Sequence, residues 1–180
     1  MSNHDWFGGQ YLGRERSRAG HTTFHATNPQ NGERLPGAFV EATKIEIADA
    51  GQRAQEAFEQ LNDVAPANTA AFLLAVAAAL EDDNQAIIAR ADAETGLGRP
   101  RLEGELGRTT GQLRMFADLA RDGSWVDARI DRTAGPDLRR MRIPLGPVAV
   151  FGASNFPLAF SVAGGDSASA WAAGCPVIVK

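Results

Sequence analysis

The spacing of apolar and polar positions changes character along the chain, and each change predicts a change of element. Up to about residue 42 the apolar residues come in short runs, WFGGQYL and HTTFHATNP, cut by Gly-Gly, Asn-Pro and Asn31-Gly32. Runs of this kind predict short strands and turns. At Thr43 the sequence T-K-I-E matches a capping box, with Thr43 as the cap and Glu46 reaching back to it. The helix that follows turns Ala54, Ala57, Phe58 and Leu61 inward, and Asn62 to Pro66 breaks it. The alanine-rich stretch PANTAAFLLAVAAALEDDNQAIIARADAETGLG predicts two helices meeting near Glu81, Asp82 and Asp83. Gly96 and Gly98 end them. A further helix is predicted from about Arg101 to Arg121, with Leu102, Leu106, Leu113, Phe116 and Leu119 on or near one face. Gly104, Gly107 and Gly111 weaken it, each by roughly 1 kcal/mol against alanine. They are expected where something packs against the helix backbone.

From Trp125 the period falls to two. SWVDARID and DLRRMRIPL, joined by RTAGP, predict a hairpin with charged edges. The apolar strand VAVF comes next, then the corner GASNFPLAFSVAGGD, a helix from Pro157 to about Ala173, and the strand PVIVK. Proline suits a first helical position, where the missing N–H would be unpaired anyway. This strand–helix–strand passage predicts one parallel crossover unit, right-handed by default. The fold class is therefore α/β. Asn155 falls at the corner between strand and helix, where such proteins place ligands.

Composition narrows the function classes. The 180 residues suffice for one ordinary domain, and 22 acidic against 18 basic residues give no general attraction to nucleic acid. The first twenty residues lack the apolar core of a signal peptide, and no apolar run nears the ~20 residues that span a bilayer. A single cysteine, Cys175, excludes an internal disulfide and fits a reducing compartment, so the cytoplasm is the expected location.

Most candidate chemistry has a plain structural alternative. His21 and His25 are four apart, but their context is strand-like, so no metal site is expected. Cys175, in A-A-G-C-P-V, reads as a small buried hydrophobe. Arg139, Arg140 and Arg142 read as a solvated strand edge, and Glu103 and Glu105 as water-facing helix residues. Between VAVF and the following helix there is no G-x-G-x-x-G turn to cradle a pyrophosphate. A nucleotide at this corner must be held differently, with residues 151 to 154 as a wall and Lys180 as a cation at the next strand end.

The order strand, x-x-x-N-F-P, helix, A-A-G-x-x-V-[IV]-x-K resembles the NAD(P)-dependent aldehyde dehydrogenases. The resemblance runs along the whole chain, through the NPQNGE segment, Glu94-Thr95-Gly96 and the hairpin. GASNFPLAFSVAGGDSASAWAAGCPVIVK and ETGLGRPRLEGELGRTTGQLRMFA are similar to the branch holding 2-oxoglutarate semialdehyde (2,5-dioxovalerate) dehydrogenases and NADP-dependent fatty aldehyde dehydrogenases. Ser154 stands where most members carry a bulky residue.

The resemblance implies NAD(P)-dependent oxidation of an aldehyde to a carboxylate, with the semialdehyde of 2-oxoglutarate favoured and a fatty aldehyde second. A non-catalytic nucleotide-binding or assembly module is the alternative of another class. By resemblance, Asn155 donates to the oxyanion formed when a cysteine thiolate attacks the aldehyde. Phe151, Gly152, Ala153, Ser154 and Lys180 face the cofactor, with NADP preferred to NAD. Arg108, placed through LRMFA, and Phe156 flank the aldehyde tunnel. Residues 1–124 and 143–180 then form part of a cofactor domain, and residues 125–142 an oligomerisation hairpin. The family's nucleophilic cysteine and base glutamate have no match here, so the chain is expected to be an N-terminal portion without a catalytic domain and inactive alone. A continuous helix from Pro157 to Ala173 would hold Asn155 and Cys175 ~25 Å apart.

Overall fold

The computed structural model describes residues 6–61, 64–132 and 135–180. The predicted break at Asn62 and Asp63 and the hairpin residues Thr133 and Ala134 lie outside them.

The N-terminal third is strand and turn, as its short apolar runs predict. Strands β1 (Gln10–Leu12) and β2 (Glu15–Ser17) pair antiparallel, as do β3 (Thr23–Phe24) and β4 (Phe39–Val40). The rings of Phe24 and Phe39 stack across the second pair at 5.5 Å. His21 and His25 flank β3 rather than sharing a helix face. Among the described residues no group of three potential metal ligands gathers.

Helix α1 (Lys44–Leu61) begins at the capping box. The Thr43 N–H and hydroxyl donate to one oxygen of Glu46 at 2.8 and 2.9 Å, and the Glu46 N–H donates to the Thr43 hydroxyl at 3.1 Å. The other Glu46 oxygen accepts from the Ser17 hydroxyl and, at 3.2 Å, from the Ala19 N–H. One carboxylate thus starts a helix and ties it to β2.

Helices α2 (Pro66–Asp82) and α3 (Asn84–Thr95) meet at Asp83, and Gly96 ends α3 in the left-handed conformation at φ 64°. The long helix α4 (Arg99–Asp122) runs back across them. Its buried face holds Leu102, Leu106 and Leu113 as predicted, but Ala117 and Ala120 complete it, and Leu119 is exposed. Gly104, Gly107 and Gly111 face open space. Among the described residues nothing packs against the α4 backbone at these glycines, contrary to expectation.

After a 3-10 turn (Ser124–Val126), β5 (Arg129–Asp131) and β6 (Leu138–Arg140) form the predicted antiparallel hairpin, exposed throughout. The Arg139, Arg140 and Arg142 side chains are exposed, as expected of a strand edge. At its base Asp127 lies within 4.0 Å of the guanidinium groups of Arg129, Arg140 and Arg142. Strand β7 (Val148–Val150) then pairs in parallel with β8 (Val177–Val179), Val148 opposite Val177 and Val150 opposite Val179.

The crossover between them departs from the predicted helix. Residues 154–164 are turns, and helix α5 covers only Gly165–Ala172. Pro157 does sit in a single turn, closed by the Phe160 N–H on the Phe156 carbonyl at 3.1 Å. The turn does not propagate because the chain doubles back at Gly164. A Cβ built there would lie 2.4 Å from the Ala159 carbonyl oxygen, an approach only glycine permits.

The main core is the seam of α2, α4 and α5: Ala70, Leu73, Ala77, Leu113, Ala117, Ala120, Ala168 and Ala172. A second cluster joins Ile88, Ala91, Leu102 and Leu106, and Leu158 of the crossover packs on it. No helix of the described residues is long and apolar enough to cross a membrane.

Glu46 carries a pH dependence. Hydrogen bonds, first that from Ser17 and then that from the Thr43 N–H, lower its pKa from 4.5 to about 2. A carboxylate with a depressed folded pKa stabilises the fold fully above its unfolded value and loses that contribution as pH falls towards the folded one. Glu46→Gln should therefore lower the melting temperature at neutral pH, and the gap to wild type should close as pH falls from 4.5 towards 2. Thermal unfolding followed by circular dichroism reads this. A gap unchanged across that range would rule the linkage out.

Candidate active site

The parallel register of β7 and β8 brings their carboxyl ends together. The Lys180 N–H donates to the Val150 carbonyl at 2.9 Å, and the Gly152 N–H donates to the Lys180 carbonyl at 3.0 Å. Phe151 to Ser154 and Lys180, predicted to face a cofactor, thus share one sheet end. Phe151 is 70% exposed, Lys180 is exposed, and its ammonium has no carboxylate partner among the described residues. An exposed ring and a free cation at the end of parallel strands suit the ribose hydroxyls or phosphate of a dinucleotide. The donor set fits the cofactor that the sequence implies.

From there the chain turns sharply. The Ala153 N–H donates to the Phe160 carbonyl at 2.7 Å and the Gly165 N–H to the Ala159 carbonyl at 3.1 Å, so residues 153–160 form a closed loop at the strand end. Asn155 lies on it, exposed, and its carboxamide makes no hydrogen bond to another described residue. With α5 starting ten residues later and lacking a side-chain cap, Asn155 has no helix to cap. No continuous helix fixes its distance from Cys175, in contrast to the ~25 Å rod expected from 1.5 Å per residue. Cys175 is 4% exposed, behind the end of α5, and behaves as the small hydrophobe predicted.

Helix α4 supplies the other wall. Glu103 faces water and pairs with Arg99 at 2.7 Å. Glu105 does not face water. It is 6% exposed, and one of its oxygens accepts the N–H groups of Leu158 at 3.2 Å and Ala159 at 3.4 Å. Its other oxygen accepts from Arg101 at 3.2 Å, and Arg101 also donates to the Asn155 carbonyl at 2.7 Å. The Thr109 hydroxyl lies 3.0 Å from both the Leu158 and Glu105 carbonyls, its one hydrogen shared between them. The Leu158 and Ala159 donors, which a helix starting at Pro157 would leave without an acceptor of its own, are thus satisfied by Glu105.

Two arginines of α4 lie over two rings of the loop. Arg101 sits 5.2 Å from the Phe156 ring and Arg108 4.9 Å from the Phe160 ring, while the two rings meet edge to face at 5.5 Å. Arg99, Arg101, Arg114 and Arg121 each pair with a carboxylate. Arg108 is the arginine of α4 with no such partner among the described residues, and it is exposed.

The structure thus gathers Asn155, Phe156 and Arg108 around one loop, with Phe151 to Ser154 and Lys180 at its root. Sequence reasoning missed Arg101, Glu105, Thr109 and Phe160. A signal for Glu105 was present: three positions after Leu102 and one before Leu106, it falls on the apolar face of α4. A groove of about 850 Å³ lined by Trp125, Met141, Leu145, Val150 and Cys175 includes neither Asn155 nor Lys180, and is separate from this site.

The chain resembles known proteins in sequence and in fold. The chain is 49% identical to alpha-ketoglutaric semialdehyde dehydrogenase 2 of Azospirillum brasilense and 44% identical to the alpha-ketoglutaric semialdehyde dehydrogenase of Acinetobacter baylyi. Each match covers 96% of this chain and 34% of the relative, so the chain spans about a third of the length of these curated relatives. The crystal structure of a NAD-dependent benzaldehyde dehydrogenase from Corynebacterium glutamicum superposes with a TM-score of 0.84 at 20% identity, over 98% of this chain and 38% of that one. At that identity the likeness speaks for the fold, while the profile of the aldehyde dehydrogenase family matches residues 16–180. Together with the N-F-P loop at the end of a parallel strand pair, this match means that the chain belongs to the aldehyde dehydrogenase family.

Proposed function

We propose that the protein to which these residues belong oxidises 2-oxoglutarate semialdehyde to 2-oxoglutarate, with NADP or NAD as the hydride acceptor. The observation that carries this reading is Arg108, a cation on the loop-facing helix with no carboxylate partner among the described residues. A substrate bearing a carboxylate at the end opposite its aldehyde would supply one. A guanidinium grips a carboxylate with two hydrogen bonds in a fixed fork. The two curated relatives named for alpha-ketoglutaric semialdehyde support the same substrate.

Asn155 is the catalytic residue in this reading. When a thiolate adds to the aldehyde carbon, the carbonyl π electrons move onto oxygen, and a donor waiting there lowers the barrier. A carboxamide N–H₂ donates without titrating, and one preorganised donor is worth ~2.7–4 kcal/mol in the transition state. The side chain of Asn155 has no competing partner among the described residues, so its hydrogens are free for this work. Buried Cys175 is not the nucleophile. The dinucleotide supplies the hydride acceptor when bound, and Lys180 with Phe151 to Ser154 holds and orients it. Residues 1–124 and 143–180 are assigned to the cofactor domain. The cytoplasm is the compartment assigned here, and the free, buried thiol of Cys175 suits it.

Residues 125–142 are assigned to contact between copies of the protein. The hairpin leaves Ile130, Leu138 and Met141 exposed, each by more than half. Light scattering on the full-length protein tests this: Leu138→Arg should yield a smaller species, and an unchanged mass would exclude the hairpin.

Steady-state kinetics on the full-length protein test the site. Asn155→Ala should lower kcat by about 10²–10³-fold, and a kcat near wild type would dismiss Asn155 as the oxyanion donor. Arg108→Met should depress kcat/KM for the semialdehyde acid and spare uncharged aldehydes of similar length. Equal losses would remove Arg108 as the carboxylate grip, and an intrinsic preference for long-chain aldehydes would favour a fatty aldehyde as substrate. In the same assays Lys180→Ala should raise the apparent constant for the dinucleotide far more than that for aldehyde. Parallel rises would end its assignment to the cofactor.

A further inference from the structure

We propose that Glu105 is a positioning residue, whose buried carboxylate holds the Asn155 loop in the geometry that catalysis needs. The proposal rests on the reading of Asn155 as the oxyanion donor and goes beyond it to the part of the fold that keeps the donor in place.

Burying a carboxylate on the apolar face of a helix is costly unless its oxygens are satisfied. Those of Glu105 are satisfied by the N–H groups of Leu158 and Ala159 and the guanidinium of Arg101. All three partners bear on one loop, because Arg101 passes its second contact to the Asn155 carbonyl. Thr109, one helical turn beyond Glu105, adds a bond to the Leu158 carbonyl. Leu158 itself inserts beside Leu102 and Leu106. The loop is thus fixed at the Asn155 carbonyl, at both polar groups of Leu158 and at the Ala159 amide, all from three successive α4 positions spaced by four.

The constraint matters because loop residues 154–164 form no regular helix that could hold their own backbone. Without Glu105, two amides beneath the loop lose their acceptor and Arg101 loses its counter-charge. The loop must then shift to rehydrate those groups, and Asn155 shifts with it. Glutamine at 105 keeps an oxygen for the two amides but turns the Arg101 contact unfavourable. Leucine keeps the volume and abolishes every bond. The two variants therefore separate loop anchoring from simple space-filling.

In the full-length protein, Glu105→Leu should lower kcat by about 100-fold, the loss typical of a small misplacement of a catalytic group. The apparent constant for the dinucleotide should move less than threefold, since Lys180 and the strand ends are untouched. Glu105→Gln should recover about tenfold of the lost kcat. Hydrogen exchange should quicken at Leu158 and Ala159 in Glu105→Leu while the amides of α4 keep their protection. If Glu105→Leu gives no cooperative melt, Glu105→Asp decides. It keeps the charge, shortens the reach by one methylene, and should lower kcat at least fivefold with little change in melting temperature. Wild-type kcat in a folded Glu105→Leu or Glu105→Asp overturns the proposal, as does a glutamine variant no better than leucine. Asn155→Ala separates the two ideas: unchanged kcat there defeats the oxyanion reading, whereas a loss there beside a wild-type Glu105→Leu defeats positioning alone.

Discussion

Along the seam between α2 and α4 the helices meet through Ala70, Ala77, Ala117 and Ala120, with Leu73 and Leu113 filling the spaces between. Small side chains let helix axes approach closely, and close approach is what allows a third helix, α5, to seat Ala168 and Ala172 in the same layer. The arrangement fixes α4 in position and rotation. Its two ends then serve different purposes. The C-terminal half builds the core, while the N-terminal half offers Arg101, Glu105, Arg108 and Thr109 to the crossover loop. A rotation of α4 by one residue would take Leu113, Ala117 and Ala120 out of the seam and carry Glu105 away from the Leu158 amide.

Much of this was legible in the sequence because it depends on local rules. The capping box at Thr43, the glycine stop at Gly96, the hairpin and the parallel strands VAVF and PVIVK all follow from residues within a few positions of one another. Gly98, expected as a second stop, instead begins α4. The N-F-P corner and the strand-end Lys180 were legible through family resemblance. The crossover was not. Pro157 followed by LAFSVA satisfies every local criterion for a helix, and one turn does form. What stops it is the doubling back at Gly164, where the Ala159 carbonyl comes too close for any side chain. The misreading of Glu105 as a surface residue belongs to the same region, since its carboxylate accepts the Leu158 and Ala159 amides of that loop.

The same logic explains why the α4 glycines misled. A glycine commonly marks a close neighbour, and at Gly164, just before α5, that inference holds, since the Ala159 carbonyl is in the way of any side chain. At Gly104, Gly107 and Gly111 there is open space instead. Spacing of three and four residues puts these glycines together on the side of α4 away from the seam. Sequence shows that a side chain is missing, and only packing shows whether anything needed the room.

That bare side bears on how the molecule comes together. Each helical glycine forfeits roughly 1 kcal/mol of intrinsic helix preference, so α4 is a poor helix by itself despite its length. Its helicity is drawn from α2 and α5 rather than lent to them. Secondary and tertiary structure in this region therefore form and dissolve as one cooperative unit, with the Asn155 loop attached to it. An opening of the alanine seam would unwind α4 and release the loop in the same event. The loop's order is a property of the helical core, even though a strand carries its first end.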